Sequence, residues 1–202
     1  MEARYPDNPE LVAERQHWAR QCVDFVREVV GLPVVEVTDA VDGFLPHVRV
    51  KGGGLQVDVA QCYPGDVLHE AGHVALIPAQ FRPLAEGGLE AVNEAMAEFL
   101  KAHPDGLLSW PENPVCRAVM QVSECEATAW QYAAAVEVGL PMTWLFPPGS
   151  YENEGDTELL RLRHNRHMGI NGLQAAQWTQ VRHNPHRPLP VYPQLAQWLS
   201  PV

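Results

Sequence analysis

Basic residues are scarce in this chain. Fourteen Lys and Arg stand against 25 Asp and Glu, leaving a net charge of -11. A general electrostatic grip on a nucleic-acid backbone is therefore not expected, and neither is a nucleic-acid partner. Long apolar runs are also missing, none approaching the roughly 20 residues of a membrane-spanning helix. The opening stretch, MEARYPDNPELVAERQHW, has neither the basic nor the apolar region of a secretory leader. Cysteine is limited to Cys22, Cys62, Cys116 and Cys125, with no CxxC spacing. That spacing excludes a cysteine-based zinc knuckle and a dense disulfide framework, so each cysteine is read as a small buried hydrophobe. Internal repeats and low-complexity blocks are absent. These absences together predict a reduced, cytoplasmic protein with no membrane association. What is present is ordinary for a globular chain: 202 residues, 46% hydrophobic and 19% charged, enough to bury a sizeable core.

Punctuation and periodicity divide the chain. Asn8-Pro9 reads as a helix cap with proline at the first helical position, and Leu11, Trp18, Cys22, Phe25 and Val29 recur at helical spacing until Gly31-Leu32-Pro33. VVEV at 34–37 reads as a strand. Residues 47–60 alternate about a glycine turn, as a β-hairpin does. A helix rich in histidine and glutamate follows, then an amphipathic one with Leu89, Val92, Met96 and Phe99 on its apolar face. A loop rich in proline and glycine leads to a helix over 114–138. Two short helices, near 156–167 and 169–178, come last. The expected class is α+β: a predominantly helical zincin-like domain over 1–178, with a small antiparallel sheet before the histidine helix. A proline-rich tail, 179–202, packs on that domain or extends from it.

The chemistry lies in PGDVLHEAGHVALIP, residues 64–78, where His69, Glu70 and His73 spell H-E-x-x-H. On a helix, positions i and i+4 lie about 40° apart around the axis, so both imidazoles leave one side. Two such nitrogens can meet one Zn²⁺ at about 2.0–2.1 Å, and Glu70, displaced from that line, can act as base toward a water. The apolar flanks put these polar groups in a core helix, where each needs a partner. Gly72 would let another backbone approach closely.

A zinc site needs a third protein ligand. The continuation H-x-x-G-x-x-H fails, because Leu76 stands three residues after His73 and Ala79 six after. The 114–138 segment offers a candidate. Its apolar stripe runs Val115, Val119, Val122, then Ala129, Ala133 and Val136, and the inward position between is filled by Glu126. An inward carboxylate is costly unless paired or metal-bound. Glu124 falls on the wetter side with Arg117, Gln121, Thr128 and Gln131, so Glu126 is the expected ligand.

HEAGHVAL followed by ECEATAWQYAAAVEVGLP resembles the ImmA/IrrE family of gluzincin-like metallopeptidases, in outline over residues 10–145. The resemblance implies a single zinc ion held by His69, His73 and Glu126, with Glu70 as catalytic base. It also implies a cytoplasmic protease acting on a regulatory protein. The chain departs from the pattern in its long 79–113 insertion, in Gln131 and Tyr132 after the aromatic, and in lacking a helix-turn-helix.

The expected chemistry is hydrolysis of peptide bonds in a protein or peptide substrate. His164, His167, Tyr132 and Tyr151 are candidate donors to the charge that develops on the substrate oxygen. The hairpin near Leu55–Val59 offers an edge for a substrate strand. The alternatives are a catalytically silent zinc-containing binding or regulatory module and a zinc hydrolase of non-peptide substrates. His183 and His186, separated by Pro185, read as a solvated loop, and the six tryptophans as core or interface anchors. The oligomeric state is left open.

Overall fold

The computed structural model describes residues 8–38, 45–108, 112–146, 148 and 150–202. Helix α1, Pro9–Phe25, starts where Asn8 accepts the Glu10 amide hydrogen and Pro9 occupies the first turn. It continues as a π-turn, Val26–Val30, closed by Gly31 at φ 82°. The wider turn rotates the buried face. Val26 and Val30 point inward, whereas Val29, expected inside from regular spacing, is 55% exposed.

Three short strands follow: β1 (Val34–Glu36), β2 (Val48–Lys51) and β3 (Gly54–Val57). β2 and β3 form the expected hairpin across Gly52-Gly53, both at positive φ, as such a turn requires. β1 lies parallel to β3 on its other side, Val34 opposite Leu55, so the sheet is mixed rather than wholly antiparallel. Residues 55–57 therefore occupy the central strand and present no free edge, which corrects the expectation that a substrate strand aligns there.

Helix α2, Pro64–Leu76, carries the H-E-x-x-H motif and is the buried heart of the fold, with every residue but His73 buried. Its apolar residues meet α1 on one side and β2 and β3 on another. Helix α3, Glu90–Ala102, buries Val92 and Met96, as its spacing predicts. The continuous helix expected over 114–138 is two helices, α4 (Pro114–Val119) and α5 (Glu124–Val138). Ser123 breaks the run by capping the second, its hydroxyl accepting the Cys125 amide hydrogen at 3.2 Å. α5 crosses α2 closely at Gly72, where a side-chain carbon would stand 3.0 Å from the Ala127 carbonyl oxygen. Helices α6 (Gly155–Arg163) and α7 (Met168–Ala175) complete the set, α7 packing on α5.

The tail does not run free. Tyr192 donates to the Ala129 carbonyl at 2.9 Å, Trp130 to the Trp198 carbonyl at 3.2 Å, and the Ser200 amide to the Ala75 carbonyl at 2.8 Å. Buried residues from Ala19 to Tyr192 form one cluster. Of the tryptophans, Trp130, Trp144 and Trp178 are buried, and Trp110 lies outside the described residues. His183 and His186 are exposed. All four cysteines are free thiols, three of them buried. Among the described residues no helix is long and apolar enough to cross a membrane.

Candidate metal centre

One turn apart on α2, His69 and His73 turn their Nε2 atoms toward each other, 3.1 Å apart. The third group at this point is Glu124, not Glu126. Glu124 Oε1 lies 3.2 Å from His69 Nε2, and its Oε2 lies 3.1 Å from His73 Nε2. The break at 120–123 accounts for the difference. With Ser123 as cap, α5 begins a new register, and Glu124 on its first turn reaches across to α2. The stripe used to choose Glu126 also loses its meaning, since α5 is buried almost all round, Thr128 and Gln131 included. Val136, counted as inward, is 42% exposed.

Glu126 is buried for another reason. The Ser123 hydroxyl donates to Glu126 Oε2, and Glu126 packs against Gly172 of α7, where a side-chain carbon would collide with it. Ser123-Glu-Cys-Glu126 spells S-x-x-E, the signature of a helix-capping pair. That signal was available in the sequence and explains a buried glutamate without a metal.

The protonation pattern suits the centre. Gln131 donates both amide hydrogens, to the Gly65 carbonyl at 2.9 Å and the Leu145 carbonyl at 3.2 Å. Its carbonyl oxygen, 3.4 Å from His69 Nδ1, must then be an acceptor, which puts a hydrogen on Nδ1, so that the neutral ring offers its lone pair at Nε2 and the protonated ring donates there to Glu124. Helical spacing puts Gln131 on the wetter side, but it is buried, 2% exposed. Its buried position, one turn after Ala127 on the face toward α2, gives it this role.

Charge follows the same geometry. Hydrogen bonds from His69 and His73 hold the Glu124 carboxyl well below the usual carboxylate range, although burial opposes them. Burial works to lower the His69 value, but the hydrogen bond and charge of Glu124 outweigh it and the net shift is upward. Burial pushes the Glu70 carboxyl up, with the two imidazoles opposing and the Glu124 charge adding. Glu70 is 8% exposed, a carboxyl kept close to the site and out of bulk water.

The Glu124 side chain is 60% exposed and faces a cavity of about 490 Å³ that Cys125, Thr128, Tyr151, His167 and Met168 also line. Of the four candidate donors, Tyr151 and His167 thus line the cavity that Glu124 faces. His164 is exposed at the C-terminal end of α6, and Tyr132 stacks on Tyr192 with ring centroids 6.0 Å apart; neither lines the cavity. Among the described residues, none of the 79–113 segment or of the tail lines it.

A tetrahedral ion with bonds of about 2.0–2.1 Å keeps its ligand atoms about 3.3–3.4 Å apart. The two imidazole nitrogens, 3.1 Å apart, sit within a few tenths of an ångström of that, and each has one oxygen of the Glu124 carboxylate within 3.2 Å, so His69, His73 and Glu124 can hold a metal ion. Comparison with protein-family models, with curated proteins and with solved structures gives no match.

Proposed function

We propose that this chain is a zinc-dependent peptidase in which His69, His73 and Glu124 hold one Zn²⁺ and Glu70 is the catalytic base. The observation that carries this is the convergence of two imidazole nitrogens and a carboxylate from separate helices, with a second carboxylate buried beside them. Two histidines and one glutamate leave a tetrahedral ion a fourth position for water or substrate. A purely structural site has no use for the glutamate beside it.

When bound, zinc supplies a Lewis acid that acidifies a water and polarises a carbonyl. Glu70, its proton affinity raised by burial, takes a proton from the attacking water and returns it to the amine nitrogen as the peptide C–N bond breaks. Gln131 keeps the His69 ring in the tautomer that offers Nε2. The cavity beside Glu124 accommodates substrate residues flanking the cut bond. The resemblance to ImmA/IrrE peptidases favours a protein substrate, and a regulatory one.

The test is metal analysis joined to one substitution. Purified protein should carry about one zinc per chain and cut peptides in a fluorogenic mixture. Glu70→Gln should retain the zinc and lose cutting. Cutting that survives Glu70→Gln refutes the mechanism. Zinc that only raises the melting temperature, with no cutting by the wild type, establishes the silent binding module instead.

A further inference from the structure

Tyr151 has a backbone φ of 51°, left-handed and rare for a bulky aromatic residue. Such strain persists only where the surroundings hold it, and it gathers at functional sites. The surroundings here are specific. The ring stands edge-on to Phe146 at 5.1 Å, and the hydroxyl lies 2.9 Å from Thr128 Oγ1. Thr128 is one turn after Glu124 on α5, so the two share a helix face, and both line the cavity with Tyr151.

The hydrogens can be assigned. Thr128 Oγ1 donates to the Glu124 carbonyl at 2.9 Å, and a hydroxyl has one hydrogen to give. In the contact between the two hydroxyls, Tyr151 is therefore the donor and Thr128 the acceptor. Burial pushes the phenol up to about 12, so it stays protonated at neutral pH. His167, the other cavity-lining candidate, is committed. Its Nδ1 accepts the Gly169 amide hydrogen at 3.3 Å, which leaves the ring hydrogen on Nε2, 3.3 Å from Glu158 Oε2. Releasing that hydrogen would give up a bond to the charged Glu158 carboxylate and leave it Arg161 alone, whereas the Tyr151 hydrogen rests on a neutral hydroxyl and is re-aimed at lower cost.

We infer that Tyr151 donates a hydrogen bond to the substrate carbonyl oxygen as that oxygen gains charge, and that Thr128 is the resting acceptor that positions the phenol. No proton changes owner in this step. The hydrogen moves from one acceptor to another while the carbonyl becomes an oxyanion and collapses again. The inference rests on the hydrolase reading above.

Its test separates the two. Full-length wild type, Tyr151→Phe and Thr128→Val are loaded with Co²⁺, and acetohydroxamate, a small metal-binding mimic with a carbonyl oxygen, is titrated by visible absorption. Tyr151→Phe should keep one metal per chain with unchanged metal affinity, bind acetohydroxamate about tenfold more weakly, and lose about 10²–10³ in kcat on the fluorogenic peptides with KM within about twofold. Thr128→Val should keep the phenol and lose less. Equal acetohydroxamate affinity in wild type and Tyr151→Phe overturns the role of Tyr151 while leaving the hydrolase intact. A wild type that takes up no metal overturns both.

Discussion

Two glutamates two positions apart at the start of α5 do different work, and the difference is measurable. Glu124 meets both imidazoles with one carboxylate, while Glu126 accepts from the cap hydroxyl and packs on α7. Glu124→Gln keeps the size of the side chain but removes the charge and one acceptor oxygen, so metal affinity should fall by at least 100-fold with little change in the fold. Glu126→Gln should bind metal as wild type does and lose about 1 kcal/mol of stability, the usual scale of a helix cap. Isothermal titration with Zn²⁺ and urea unfolding of the two variants check this. The reverse pattern, with affinity lost in Glu126→Gln and kept in Glu124→Gln, would restore Glu126 as the ligand. At this scale His69, Glu70 and His73 were legible, because helical spacing alone puts the imidazoles on one side. The third ligand was not. It depends on where one hydroxyl restarts a helix, and the apolar spacing of Val119 and Val122 runs across the break and outweighs the S-x-x-E cap signal at Ser123 that marks it.

Among the elements, α2 must be held at both ends for its histidines to keep their aim. Tyr63 and Pro64 start it, and its last turn leaves carbonyls with no helical partner. Arg82 answers two of these needs and reaches the tail as well. It donates to the Val74 carbonyl at 3.3 Å, the Ile77 carbonyl at 3.0 Å and, in the tail, the Ser200 carbonyl at 2.8 Å. One guanidinium thus ties the end of the histidine-bearing helix to the C-terminal segment. Arg82→Ala should cost roughly 2 kcal/mol in denaturant unfolding, in keeping with hydrogen bonds from a charged donor. Arg82→Lys should recover little, because a single ammonium cannot match the planar fork. An unfolding midpoint equal to wild type in Arg82→Ala would show the tie to be idle. The sequence made α1, the hairpin, α2 and α3 readable, since caps, a glycine turn and period-3.6 faces are local signals. It could not show that β1 pairs parallel to β3, that a π-turn swings Val29 outward, or that the tail closes over α2 and α5. Those outcomes are decided by partners distant in sequence.

For the molecule as a whole, one core reaches from Ala19 to Tyr192, and the three proposed ligands come from two helices packed into it. Metal bound by these three residues should therefore raise global stability. The protein atoms by themselves set a pH dependence. His69 is raised, so its contribution is complete below the ordinary value of 6.5 and fades as pH rises through its folded value. Glu124 is depressed, so its contribution is present above the ordinary 4.5 and fades only as pH falls through its folded value. Glu70 is raised, so ionising it on the way up from 4.5 also weakens the fold. Glu124 contributes equally at pH 5.5 and pH 8, while the His69 and Glu70 shifts agree in direction: protein stripped by a chelator should be more stable near pH 5.5 than near pH 8. Zinc reverses the order of benefit, because it competes with protons for the imidazoles and gains as they are lost. At 100 times its Kd it should add about 2.7 kcal/mol, or about 5–10 °C in Tm for a chain of this size. That increment should be large at pH 8 and shrink toward pH 5.5. Thermal scans with chelator and with excess zinc at the two pH values measure it, and an increment of equal size at both would mean that the ion is not held by His69 and His73.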